Sequence, residues 1–395
     1  MGSLHTRRFV LMTCMTIVSG IASLPAAADD TIKVGLSVPL SGSGAVWGRG
    51  ADWMCKKAAQ EIKADGGVRV KDRVYNFECL SYDNKYSAAE GTKVAQTLLN
   101  RDGVKFMTAV GTASALAAQS LTERQGVLFF TESWDRSRKG PNFPLTFSVV
   151  NSLFEIMPVM VQYIVKTHPE AKTIALLNAN DASGRENEAI SRPMWEKAGV
   201  KVVASDFYER GTTEFQPIAA RLASLKPDII DLASAPPADA GQMFKELDLL
   251  GFKGSKITDN GTGVDAILTS GGSAVNGVYM GAATAFNGPS VTAHQRDIAA
   301  QARAGFGEAP SLPSIGAYDT LYILKAGIEK AQSLDPKAVA AVLSEVKFKT
   351  FYGGETGFGG KSFYGSNQQA MLPVYVTQID AGKLVERARV DPKKN

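Results

Sequence analysis

Three loops hold the residues best suited to chemistry. The first, Pro39-Leu40-Ser41-Gly42-Ser43-Gly44-Ala45-Val46-Trp47-Gly48-Arg49-Gly50, is glycine-rich and carries one large aromatic. It has the placement of a dinucleotide fingerprint but not the spacing, because Trp47 stands where the third glycine would allow a helix to approach a strand closely. Trp47 therefore reads either as an aromatic wall on a flexible loop or as a core residue. The second loop, Val110-Gly111-Thr112-Ala113-Ser114, opens a helix after a strand. The free N–H groups there, with the hydroxyls of Thr112 and Ser114 on either side of Ala113, can hold a carboxylate; plain helix capping is the competing use. The third loop, Thr131-Glu132-Ser133-Trp134-Asp135-Arg136, gathers an aromatic, two acids and hydroxyls. It is either a ligand edge or a solvated turn whose acids are neutralised by Arg136, Arg138 and Lys139.

These residues bind; nothing among them turns over. Outside the leader the chain has only His168 and His294, in unrelated surroundings, and no H-E-x-x-H, G-x-S-x-G or C-x-x-C run. Metal ligation and Ser/His catalysis have no residues to carry them. The reading is of a binding protein without cofactor or metal, and not of an enzyme.

The N-terminus says where it works. Arg7-Arg8, the apolar run Phe9 to Leu24, and Pro25-Ala26-Ala27-Ala28 follow the order of a cleaved secretory leader over residues 1–28. Cys14 lacks the small preceding residues of a lipoprotein site, and the apolar run is short for a membrane anchor. Export removes the chain from cytoplasmic NAD and ATP. The 43 Lys and Arg residues nearly balance the 39 Asp and Glu, which argues against nucleic acid or an anionic membrane surface as partner.

The elements that must position the loops alternate strand and helix throughout. A strand at 31–38 leads through the first loop to a helix ending before Gly66-Gly67, then a strand at 75–82. Ser87-Ala88-Ala89-Glu90 has the pattern of a capping box. Strands near 105–110 and 127–131 bracket a helix. The pattern restarts after residue 150, and the last segment returns to glycine-rich extended chain with a strand near 371–379. This predicts an α/β protein of two Rossmann-like lobes with parallel sheets joined by a hinge. We expect one lobe over 29–148 and 280–350, and the other over 149–279 and 351–395. Ligands of such sheets bind beyond the carboxyl ends of the strands. Cys55, on an apolar helical face, and Cys79, on an alternating strand, form a disulfide if that helix packs on that strand; otherwise they are two buried thiols.

In order and spacing, several segments resemble the type I periplasmic binding proteins of branched-chain amino acid (leucine/isoleucine/valine) ABC transporters. They are Ile32-Lys33-Val34-Gly35 with Pro39-Leu40-Ser41-Gly42, Gly66-Gly67-Val68, Tyr82-Asp83-Asn84, Gly126-Val127-Leu128 and Ala317-Tyr318-Asp319. The resemblance implies a periplasmic, monomeric receptor that closes over a small-molecule ligand and docks on an inner-membrane ABC permease. It implies that Trp47 covers the ligand, that Thr112 holds its carboxylate with backbone help from Ser133, and that Asp135 adds a contact. Two positions depart from the family pattern. Ser183 stands before Gly184 where an aromatic wall is usual, and Asn260, beside Asp259, stands where an acid grips the α-ammonium. The ligand expected is an amino acid or related amide, with aromatic or aliphatic carboxylates next in view of Trp47 and Trp134.

Overall fold

The structure is a computed structural model and describes residues 1–2, 30–133, 139–233, 235–259 and 263–392. Residues 3–28 of the expected leader, Trp134, Asp135 and Asn260 lie outside the described residues.

The alternation forms two sheets. The first contains β1 (Asp30–Val38), β2 (Val68–Val70), β3 (Arg73–Asp83), β4 (Phe106–Val110), β5 (Leu128–Glu132) and β6 (Thr146–Ser148). The second contains β7 (Thr173–Ala179), β8 (Lys201–Tyr208), β9 (Ile229–Asp231), β10 (Ser255–Thr258) and β11 (Tyr279–Gly281). A ribbon of β12 (Phe348–Lys349) and β13 (Glu355–Thr356) follows, then β14 (Phe358–Gly359), β15 (Gln369–Ala370), β16 (Val374–Asp380) and β17 (Lys383–Val390). The orders are β14-β15-β6-β5-β4-β1-β3-β2 and β17-β16-β11-β10-β9-β7-β8. Both sheets are parallel in their centres, and the antiparallel pairs lie toward their edges. Near-continuous Val, Ile, Leu and Phe runs in β1, β4 and β5 are buried, as strands covered by helices on both faces require.

The chain crosses between the sheets after β6, between β11 and the helix Ala293–Phe306, and between β15 and β16. The last crossing corrects the expected boundary: residues 358–370 belong to the first sheet, through the pairing of β15 with β6, and not to the second lobe. These strands are two residues long, so the sheet edge rather than any local pattern makes them strands.

The helix Ala45–Ala64 lays Ala51, Met54, Cys55, Ala58 and Ile62 on the first sheet. It brings Cys55 to β3, where it is bonded to Cys79 with Cα atoms 6.3 Å apart. The bond closes a separation of 24 residues, which stabilises the fold by about 3 kcal/mol in the chain-entropy account. At Ser87 only half of the capping box forms: its hydroxyl accepts from Glu90 N–H at 3.2 Å, while the Glu90 carboxylate pairs with Lys93 at 2.8 Å. Among the described residues no helix is long and apolar enough to cross a membrane.

Candidate ligand cleft

In each sheet the strand order reverses direction at one strand, β1 in the first and β7 in the second. The loops leaving such switch points splay apart and leave a crevice. Here the two crevices face each other, and the helices Thr112–Gln125 and Ala182–Lys197 touch across them.

On the first lobe, Asp83 and Asn84 shape the rim. Asp83 accepts from Leu40 N–H at 2.8 Å and Ser41 Oγ at 2.6 Å, pinning the glycine-rich loop. Burial raises its carboxyl, but these bonds win and hold it below the usual range. Asn84 donates to the carbonyls of Ser37 at 2.9 Å and Val110 at 3.0 Å and to Ser114 Oγ at 3.1 Å. One buried amide thus joins the ends of β1 and β4 to the start of a helix.

That role removes Ser114 from the ligand set. It is fully buried, and its hydroxyl is spent on Asn84 and the carbonyls of Val110 and Gly111. Thr112 and Ala113 open the helix beside it. The first intrahelical bond runs from Ala115 N–H to Gly111 O at 2.8 Å, so the N–H groups before it lie outside the intrahelical ladder, at the carboxyl end of β4. The Ser133 N–H, expected to help bind a carboxylate, instead donates to Thr131 Oγ1 at 3.1 Å.

Trp47 is not on a loop. The helix begins at Ala45, and Trp47 is 3% exposed in its first turn. Its ring packs against Tyr86 with centroids 5.7 Å apart, so Tyr86, resting on Trp47, offers the aromatic surface. The close strand contact that Trp47 would have blocked is made by its neighbour Gly48, where an added Cβ would lie 1.8 Å from Pro39 O.

The second lobe answers with Asp181, Ser183 and Arg210. Asp181 caps the helix Ala182–Lys197 by accepting from Gly184 N–H at 3.0 Å, and it takes the Ser183 hydroxyl at 2.8 Å. Arg210 pairs with Asp181, donates to Ser183 Oγ at 3.0 Å, and sets its guanidinium 4.2 Å from the centroid of the Tyr86 ring. This contact crosses between the lobes. Burial works against the Asp181 charge, yet Arg210 keeps its carboxyl below the ordinary value. Asp239 completes the edge. Burial pushes it up to about 6, against Arg210, Tyr208 and Ser43 of the opposite lobe.

Asp259 faces inward. It is fully buried, its Oδ2 accepts from Asn187 at 2.8 Å, and it lies beside Asp231 under the helix Ala182–Lys197. Burial raises both carboxyls, and the Asp259 charge raises Asp231 further. Its partners all belong to the second lobe, so it is not presented to the first.

Sequence reasoning missed Tyr86, Asn84, Asp181 and Arg210 as a set. Each follows the carboxyl end of a strand, which is the signal that could have found them. Glu132, read as part of a loop that is either a ligand edge or a solvated turn, is the last residue of β5 and is buried. Among the described residues no trio of His, Cys, Asp or Glu is arranged to hold a metal ion. The cleft offers helix N–H groups, hydroxyls, an aromatic face and carboxyls, a set suited to holding a small polar molecule.

A family model described as periplasmic binding protein matches residues 31–383. The leucine-, isoleucine-, valine-, threonine- and alanine-binding protein of Pseudomonas aeruginosa is 25% identical over 87% of this chain and 90% of its own length. A leucine-binding protein from Thermotoga maritima superposes with a TM-score of 0.77 at 17% identity, covering 91% of this chain and 99% of that one. A solute-binding protein of an ABC transporter from Rhodopseudomonas palustris, in complex with 3,4-dihydroxybenzoic acid, does so at 0.77 and 22% identity, covering 92% and 98%.

Proposed function

The chain belongs to the periplasmic binding protein family, type I, and from that premise we propose that it is the periplasmic receptor of an ABC importer, capturing a small polar organic solute by closure of the two lobes. An amino acid or related amide is the first expectation, and aromatic or aliphatic carboxylates follow. The carrying observation is the stack of Arg210 from one lobe on Tyr86 from the other, at the edge where helix N–H groups and hydroxyls converge. A cleft closed by such a contact encloses a solute and presents one closed shape to a membrane permease. The receptor binds without turning over. The relatives named for amino acids support the first ligand class, with identity low enough that the solute must be found by experiment.

The test is a thermal-shift screen of the leaderless protein, stripped of ligand by unfolding and refolding. The panel holds amino acids, amides, and aromatic and aliphatic carboxylates. A true ligand at 100 times its dissociation constant adds about 2.7 kcal/mol and shifts the transition visibly. No shift with any member would overturn the assignment to these classes, and turnover of an amide or ester would overturn the receptor reading itself.

A further inference from the structure

We propose that Glu132 selects a ligand bearing a protonated amine, gripping it from the first lobe at the floor of the cleft. This rests on the receptor reading above and narrows it.

Glu132 ends β5 at the carboxyl edge of the first sheet, is 6% exposed, and neither of its carboxyl oxygens has a hydrogen-bond partner among the described residues. It is close enough to act electrostatically on both Tyr86, in the cleft, and Tyr352, in the turn between β12 and β13. The helix Leu312–Ala331 makes room for it with Gly316, where a Cβ would lie 3.0 Å from Glu132 Oε1. A carboxyl in such a place is costly unless something binds it.

The other buried acids of the cleft each have a partner for at least one oxygen, Asp239 accepting from the Tyr208 hydroxyl at 3.4 Å. Asp181 is held by Arg210, and Asp259 by Asn187 within the second lobe. Tyr86 and Tyr352 lie within electrostatic reach of Glu132, with Asp319 near Tyr352 and Arg210 beyond Tyr86 and already paired. Among the described residues none of these supplies a free positive charge. Burial raises the Glu132 carboxyl well above its ordinary range, which favours its neutral form until a positive charge binds beside it. An ammonium group satisfies both oxygens by charge-assisted bonds and ionises it. A ligand carboxylate without an amine brings no such donor. Its own acid is served by the N–H groups at Thr112 and Ala113, which leaves Glu132 buried and unmatched.

The experiment uses matched pairs, L-leucine against 4-methylpentanoate and L-phenylalanine against 3-phenylpropanoate, titrated calorimetrically into wild type and Glu132→Gln. In wild type, at least one amino acid should bind about 100-fold more tightly than its des-amino partner. It should release about one proton, seen as a dependence of heat on buffer ionisation enthalpy. Glu132→Gln should melt no lower than wild type, erase most of that ratio and abolish the proton release. Equal binding of the partners by wild type, or an unchanged ratio in the variant, overturns the role of Glu132 while the receptor reading stands. Binding of none of the four overturns the selection of these amines by Glu132, while the receptor reading is judged on the wider thermal-shift panel.

Discussion

A methyl group at Gly48 would sit 1.8 Å from Pro39 O, and one at Gly184 would sit 1.9 Å from Ala179 O. The two glycines occupy matching places, each in the first turn of the helix that follows its sheet's switch-point strand, β1 or β7. Both obstacles are backbone, which cannot swing aside as a side chain can. Gly35 is a useful contrast, because a Cβ there would meet the Leu98 side chain at 2.9 Å, a flexible group. Gly48→Ala and Gly184→Ala should therefore each destabilise the protein toward the upper end of about 1–3 kcal/mol, and Gly35→Ala by less. Urea unfolding of the three variants checks the ranking, and an equal cost at all three positions would contradict it. The contact also explains why the first loop resembles a nucleotide fingerprint in placement: close helix–strand packing is common to both, and here one residue past Trp47 supplies it.

At the scale of elements, local pattern carried the strands and helices of both sheets because each has an apolar face of the right period. It failed at β17, whose polar sequence leaves little more than Leu384 buried, and at β14 and β15, which exist through pairing alone. The cleft was legible as loops but not as contacts. Asn84 joins segments 47, 26 and 30 residues away, and no local period encodes such bonds. The cap of the helix Val264–Gly271 is of the same kind. Gly263 gives it no side-chain cap; instead Glu308, from the other lobe, accepts from Asp265 N–H at 2.8 Å and Ala266 N–H at 2.7 Å. Despite these bonds, burial pushes Glu308 up to about 8 from 4.5. Between those pH values the folded protein holds a proton that the unfolded chain has lost, so this group lowers stability as pH rises through the window. Below the window and above it, the contribution is flat. Glu308→Gln should remove a slope of up to about 1.4 kcal/mol per pH unit. Urea midpoints measured from pH 5 to pH 8 read it, and parallel curves for wild type and variant would exclude Glu308 as the source.

For the whole molecule, the receptor reading proposed above makes closure a balance between two ties, with three chain crossings joining the lobes. At one end Glu308 caps the second lobe's helix, while Asp265 of that helix returns the contact to Arg303 at 2.7 Å and Ala309 N–H at 3.0 Å. At the cleft, Arg210 lies on Tyr86 and Ser43 reaches Asp239. On that reading the first tie, beside the chain crossings, can persist as the lobes swing, and the second must break for a solute to enter. Tyr86→Leu targets it, because Arg210 keeps Asp181 and Ser183 within its own lobe while the aromatic face and the Tyr86 hydroxyl's bond to Ser183 are lost together. A cation over an aromatic ring contributes about 0.5–2 kcal/mol, so the closed-to-open ratio of the empty protein should fall by about 2- to 30-fold. Small-angle scattering should then show a larger radius of gyration for ligand-free Tyr86→Leu than for ligand-free wild type. The two should converge once saturated with solute, whose own bridging contacts replace the lost one. If the empty forms scatter alike, the Tyr86 contact does not govern closure, and the tie at Glu308 and Asp265 must hold the lobes together.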